Sequence, residues 1–246
     1  MNHKTRQVAI VTGASRGIGA AIAERLAADG FTVIINYAGN QALADELVRK
    51  IEQRGGRALS ARADVSDPAA VAQLFERAEQ AFGGVDVLVN NAGVIALAPV
   101  AEMSDAEADR LIDINLKGSF NTLREAAKRL RANGRIINFS SSVVGLLQPG
   151  YGMYAASKAA VEALTSVLAK ELRGRHITVN AIAPGPTATS LFLDGKTPEL
   201  IERLAKMAPL ERLGEPEDIA AAVSFLAGAD GAWINGQTLR ANGGIV

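Results

Sequence analysis

Gln7-Val8-Ala9-Ile10-Val11-Thr12-Gly13-Ala14-Ser15-Arg16-Gly17-Ile18-Gly19 passes from a short apolar run, through a glycine-rich turn, into a stretch patterned as a helix. Residues 7–11 read as a strand, and residues 18–28 as the helix that follows it. Glycines at such a corner let the chain turn tightly. They also bring backbone N–H groups to the amino end of a helix, where partial positive charge suits a phosphate. The spacing is Gly-x3-Gly-x-Gly, not the Gly-x-Gly-x-x-Gly of the commonest dinucleotide fingerprint. Its place at the first strand of an alternating chain is what favours a nucleotide. The same residues, Gly13-Ala14-Ser15-Arg16-Gly17, also fit the G-x-S-x-G elbow that carries a hydrolase nucleophile. That chemistry needs an acid and then a histidine further along. The two histidines are His3, in the N-terminal tail, and His176, where a strand begins. Active sites of α/β sheets form at the opposite, carboxyl ends of the strands, so a hydrolase is excluded.

Outward from this stretch the rhythm repeats. Strands are predicted over residues 31–35, 58–61, 85–89, 135–139, 177–182 and 237–240, alternating with helices over 42–51, 105–131, 154–172 and 216–227. Ser66-Asp67-Pro68 marks one more helix start, after which Val71, Leu74, Phe75, Ala78 and Phe82 fall on one face. Alternation of this kind implies α/β architecture: a doubly wound, Rossmann-type parallel sheet of about seven strands, with helices on both faces. No linker or repeat divides residues 1–246, so one dinucleotide-binding catalytic domain is expected. The segment 186–214, rich in Pro, Gly and Thr, breaks the rhythm and reads as a substrate lid.

Composition narrows the function. The 246 residues are 48% hydrophobic, ample for a core, and carry 26 basic and 26 acidic side chains. That level balance, with no Lys/Arg run, argues against nucleic-acid and membrane-surface partners. There is no cysteine, which removes disulfides, thiolate metal sites and thiol nucleophiles, and no cluster has metal-ligand spacing. The polar start, without a signal-like apolar stretch, makes a cytoplasmic protein the expectation.

Three further groups carry chemistry. Tyr154 and Lys158 are four apart in a helical segment and share a face. A tyrosine titrating near 10 is a poor base, but a neighbouring cation lowers that by roughly 1–3 units. Ser140-Ser141-Ser142 and Asn90-Asn91-Ala92-Gly93 each end a strand, where hydroxyls and amides line a cleft. Asn115 lies inside the long helix, as a solvated residue or a local irregularity. The second strand ends at Asn36, not at the Asp or Glu that binds the ribose hydroxyls of NAD, and Arg16 stands in the glycine turn. A guanidinium without a competing acid suits a 2′-phosphate, so NADP(H) is favoured, with some tolerance of NAD(H).

The ordered set Thr12-Gly13-x3-Gly17-x-Gly19, Asp64-Val65, Asn90-Asn91-Ala92-Gly93, Asn115, Ser141, Tyr154-x3-Lys158 and Pro184-Gly185 resembles the short-chain dehydrogenase/reductase family over essentially the whole chain. Among the serines, Ser141 has the family's thirteen-residue offset from Tyr154. The resemblance implies that Tyr154 passes the proton, Lys158 lowers its pKa and binds the nicotinamide ribose, and Ser141 holds the substrate oxygen. Asn115 seats a water through a freed backbone carbonyl. It also implies cofactor contacts from Gly13, Ser15, Arg16, Gly17, Ile18 and Gly19, from Asn36, and from Asp64 and Val65 beside the adenine. Asn91, Ala92 and Gly93 follow on the adenosine ribose side, and Pro184, Gly185, Thr187 and Thr189 at the carboxamide. The implied reaction interconverts a carbonyl and a secondary alcohol, in a homotetramer packed through the helices over 105–131 and 154–172. Gly134-Arg135-Ile136-Ile137 and Ile177-Thr178-Val179-Asn180 are similar to β-ketoacyl-acyl-carrier-protein reductases. Of the two arginines that dock the carrier protein there, one matches Arg175; the other falls at Ala132, beside Arg131. Reduction of a 3-oxoacyl thioester, or of a small ketone, quinone, steroid or sugar, stays open, as does a non-catalytic dinucleotide sensor or scaffold. Trp233 is expected in the core or at a subunit interface, His176 at the surface, and Asn138, despite its Asn-Phe-Ser sequon, in a buried strand.

Overall fold

Strands buried on both faces must be apolar throughout, and this requirement sets the centre of the molecule. In the computed structural model, which describes residues 6–246, every residue of β1 (Val8–Val11), β2 (Thr32–Tyr37) and β4 (Val85–Asn90) is buried. They join β3 (Arg57–Arg62), β5 (Leu130–Phe139), β6 (Thr178–Pro184) and β7 (Thr238–Ala241) in one seven-stranded parallel sheet of order β3-β2-β1-β4-β5-β6-β7. The doubly wound sheet expected from the alternation is what the chain forms. His3, in the polar start, lies outside the described residues.

Helices cover both faces. On one, α1 (Gly17–Ala28), α2 (Gln41–Gln53) and α10 (Pro216–Ala227) bury Ile22, Leu26, Leu47, Val223 and Leu226 against the sheet. On the other, α3 (Pro68–Phe82), α5 (Ser119–Arg129) and α7 (Gly152–Glu171) bury Leu74, Phe75, Leu123 and Leu168. The start of α3 follows its sequence signal: Pro68 opens the helix and the Asp67 carboxylate accepts from Ala69 N–H at 2.8 Å. Strand order reverses between β1 and β4, and a crevice opens beyond their carboxyl ends.

The single helix expected over 105–131 is three pieces. It runs as α4 (Asp105–Leu111), a π-helical stretch Ile112–Gly118, and α5, which stops at Arg129. Leu130 turns to extended backbone (φ −60°, ψ 140°) and pairs with Val85, so the chain enters β5 five residues earlier than expected. Two other boundaries move: α7 starts at Gly152, and His176 sits in an exposed turn at φ 56°, ahead of β6. Two short helices lie in stretches read as irregular: α6 (Val143–Leu146) and α8 (Ser190–Leu193).

Between β6 and α10 the chain leaves the sheet. It carries α8 and α9 (Pro198–Ala205), then returns to where it left. Thr187 pairs with Gly214, Gly214 N–H donates to Pro186 O at 2.9 Å, and Ala188 N–H donates to Gly214 O at 2.8 Å. The two ends of this excursion are latched together.

Candidate active site

Gly13 turns at φ +61°, and a Cβ there would stand 2.9 Å from the Ala92 Cα. A side chain at Gly19 would meet Gly13 O and Asn91 Nδ2 at 2.6 Å, so α1 begins as close to the turn as backbone allows. Thr12 and Asn91 fasten this corner to the exit of β4. Thr12 Oγ1 accepts from the N–H groups of Asn91 (3.0 Å) and Ala92 (2.9 Å), and Asn91 Nδ2 donates to Thr12 O at 2.8 Å. What remains at the surface is a bare backbone cradle at a helix amino terminus, with Ser15 and Ile18 partly exposed and Arg16 exposed. A cradle that a single Cβ would fill fits a pyrophosphate.

Asn36 does not fit its expected place. It is 1% exposed; its Nδ2 donates to Ala61 O (3.3 Å) and Ala63 O (3.0 Å), and its Oδ1 accepts from Gly13 N–H (3.3 Å). The side chain ties the turn to β3 and has nothing left for a ribose. The reason is burial, since an amide inside the sheet must spend its hydrogen bonds on neighbouring backbone. Val65 is buried too, its carbonyl accepting from Asn121 Nδ2 at 3.0 Å, whereas Asp64 is exposed. Thr187 is 4% exposed, its hydroxyl donating to Gly185 O. Thr189 caps α8 and faces Gly17, 3.5 Å from where a Cβ there would sit.

Beyond β5 the three serines separate by what they already hold. Ser140 Oγ donates to Glu162 at 2.5 Å. Ser142 Oγ donates to Ala183 O and accepts from Asn242 Nδ2 at 3.0 Å. Ser141 accepts only a long 3.4 Å bond from Val143 N–H and hydrogen-bonds Tyr154. Of the three, Ser141 alone is not buried.

Tyr154 and Lys158 project from α7 as their spacing requires, with the ammonium 5.8 Å from the centre of the phenol ring. Lys158 is buried, its Nζ donating to Phe139 O at 2.9 Å, and burial pulls its pKa down to about 8. The phenol of Tyr154 departs from the expected direction. The residue is only partly exposed, and burial of the hydroxyl pushes the pKa above 10; the Ser141 hydrogen bond opposes this, and Tyr151 adds to it. The physical reason is that removing the phenolate from water costs more than the Ser141 hydrogen bond returns.

Asn115 is fully buried in the π-helical stretch. Its amide pairs with both backbone groups of Val94, Oδ1 accepting from N–H at 2.8 Å and Nδ2 donating to O at 2.9 Å. Its own carbonyl accepts from Ser119 Oγ at 2.6 Å, which takes one lone pair of the group expected to seat a water. Gly93 closes this corner, for a Cβ there would lie 3.2 Å from Asn115 Oδ1 and 3.4 Å from Lys158 Nζ.

The residues expected to dock a carrier protein are spent elsewhere. Arg175 donates to the carbonyls of Ala127 and Leu130, and Arg131 pairs with buried Asp86 at 3.1 Å. Around the cleft the side chains are apolar. Ile95, Leu97 and Val100 are exposed along a segment held to the start of α7 by Ala98 N–H to Gly150 O, and Leu147 stands opposite. An apolar hollow of about 290 Å³ beside Leu147, Tyr151 and Ala155 contains no charged residue. Trp233 is 98% exposed, so it is not core, and Asn138 is buried, donating to Thr165. Among the described residues no acid–histidine cluster could hold a metal, and no helix is long and apolar enough to cross a membrane.

Comparison with known proteins agrees with this geometry. A family model described as enoyl-(acyl carrier protein) reductase matches residues 13–246. The chain is 46% identical to an Arabidopsis thaliana NADPH-dependent aldehyde reductase-like protein, chloroplastic, over 98% of this chain and 94% of that one. It is 41% identical to a Staphylococcus aureus 3-oxoacyl-acyl-carrier-protein reductase, covering 98% and 99%. A short chain dehydrogenase from Burkholderia cenocepacia, crystallised in complex with NADP, superposes with a TM-score of 0.92 at 38% identity, covering 99% of both chains. The chain belongs to the short-chain dehydrogenase/reductase family and is an oxidoreductase.

Proposed function

We propose that this chain is an NADP(H)-dependent reductase of apolar aldehydes and ketones, one catalytic domain with residues 186–214 as its lid. The observation that carries the chemistry is the convergence of Ser141, Tyr154 and Lys158 beside the glycine cradle, with the hydroxyls of Ser140 and Ser142 already spent. Bound NADPH supplies the hydride. Ser141 and Tyr154 hold the carbonyl oxygen by hydrogen bonds. The phenol, kept protonated by burial, delivers its proton to that oxygen as negative charge develops there. Lys158, held by Phe139 O, sits where it restores the proton and binds a ribose hydroxyl, and Asn115 keeps the Val94 segment in place beneath it. Arg16, with no acid at the end of β2, supports NADP(H) over NAD(H).

A free carbonyl compound is favoured over a carrier-bound thioester because Arg175 and Arg131 are engaged within the chain, and because Ile95, Leu97 and Val100 expose apolar surface on the segment that follows Asn91-Ala92-Gly93. Phe120 on α5 and Val167 on α7 are exposed and support the homotetramer that the resemblance implies. The test is NADPH oxidation with aliphatic and aromatic aldehydes, simple ketones and a 3-oxoacyl thioester, using purified protein and Tyr154→Phe. Turnover of the aldehydes or ketones should fall by roughly 10²- to 10⁴-fold in the variant, the loss expected for a positioned proton donor. Preference for the thioester would overturn the substrate reading. Full activity in Tyr154→Phe would overturn the mechanism.

A further inference from the structure

The adenosine side of the crevice carries two guanidinium groups, where the sequence pointed to one. Arg16 leaves the glycine turn and is exposed. Arg62 is the last residue of β3, in register with Tyr37, the last residue of β2. Its Nε donates to Ala38 O at 3.2 Å, which pins the group to the first residue beyond β2. Its terminal nitrogens have no partner among the described residues, and Arg62 takes part in none of their ion pairs.

Alternation along the strand fixes its direction. Ser60, two residues back and so on the same side of the sheet, donates to Asp45 of α2 at 2.6 Å. Arg62 therefore emerges on the face that carries α1 and α2, where Arg16 also stands. The nearby acids are already engaged. Asp45 accepts from Ser60, and Asp64 Oδ1 accepts from the N–H and hydroxyl of Ser66. Two planar cations, neither neutralised by an ion pair among the described residues, suit a dianionic phosphate.

Resting on the NADP(H) reading, we propose that Arg62 is a specificity-determining residue which, together with Arg16, binds the phosphate on the adenosine 2′ oxygen. Its grip on Ala38 O holds the planar fork ready, so the order this recognition needs exists before the cofactor arrives.

The experiment is calorimetric titration of the full chain with NADPH, NADH and 2′,5′-ADP, comparing wild type with Arg62→Met, Arg62→Lys and Arg16→Met. Methionine keeps an apolar stem and removes the charge. Because Arg62 is exposed on an edge strand, an unchanged thermal midpoint serves as the folding control. Losing one charge-assisted hydrogen bond should weaken NADPH and 2′,5′-ADP about 10-fold and leave NADH within about 2-fold, with Arg62→Lys recovering part of the loss. Equal weakening of NADPH and NADH would overturn the assignment, since Arg62 would then only shape the loop. Unchanged NADPH affinity in Arg62→Met, with a loss in Arg16→Met, would overturn it and leave the cofactor reading standing. Wild-type protein that binds NADPH no more tightly than NADH would overturn both.

Discussion

Lys158 is a cation taken out of water, with one carbonyl as its hydrogen-bond partner. Its folded pKa of about 8 lies below the ordinary 10.5, so between those values the unfolded chain binds the extra proton. Stability therefore rises with pH across that window, and the full burden of burial is present below it. The shift corresponds to roughly 3 kcal/mol. Replacing Lys158 by Met removes the burden but orphans Phe139 O, a loss of about 1–2 kcal/mol. We expect Lys158→Met to be inactive and yet more stable by about 1–2 kcal/mol at pH 7. Denaturant midpoints at pH 7 and pH 10.5 check this: the advantage should be gone at the higher pH, and a destabilised variant at pH 7 would show that the ammonium is not desolvated. At this scale the grouping of Ser141, Tyr154 and Lys158 was legible, because helical spacing joined Tyr154 to Lys158 and the offset of the resembled family picked out Ser141. Asn36 was misplaced and Arg62 passed over for one reason. Strand alternation says that a polar residue faces out or in, but not whether neighbouring backbone has consumed its amide or left a guanidinium free.

The glycine turn and the exit of β4 behave as one part. Gly13→Ala would put a methyl 2.9 Å from the Ala92 Cα on a backbone at φ +61°, and neither side has a flexible atom to move. We expect a stability loss of roughly 1–3 kcal/mol, together with weakened NADPH binding. Gly30→Ala is the control. It shares a positive φ, +97°, but has nothing within 4 Å, so it should lose some stability and no cofactor affinity. Thermal melts paired with NADPH titration separate the two, and equal cofactor loss in both would refute the cradle. Most elements here were readable from period and capping, as the Asp67-Pro68 start of α3 shows. The π-helical stretch was not. There Asn115 reaches across to Val94, a tertiary contact with no local signature, while Ser119 reaches back one turn to Asn115 O, a bond any helical serine can make. The short strand β7 was marginal for a different reason, since Leu239 and Arg240 are both exposed and the edge of the sheet asks little of its sequence.

Across the whole molecule, the two ends of the sheet do different work. Chemistry gathers at the carboxyl ends, while the amino ends hold Asp86, which accepts from Val8 N–H at 2.7 Å and pairs with Arg131. Asp86→Ala would orphan a buried N–H and release Arg131. The expected loss is about 2–3 kcal/mol, or roughly 4–12 °C in Tm for a chain of this length. The kcat should stay unchanged; a fall in kcat would mean that the two ends are coupled. The layered fold was legible because buried strands must be apolar, whereas the pairing of Arg131 and Arg175 with distant groups was not, since sequence shows charge and not partner. The latch between Thr187 and Gly214 sits at the other end of the sheet and has an evolutionary corollary. A loop whose two feet already touch asks almost the same closure entropy whatever it contains, because that entropy grows only slowly with length. The excursion is thus a cartridge, replaceable by recombination without re-registering any strand. Doubling the length between the two feet should therefore cost only about 0.6 kcal/mol of closure entropy.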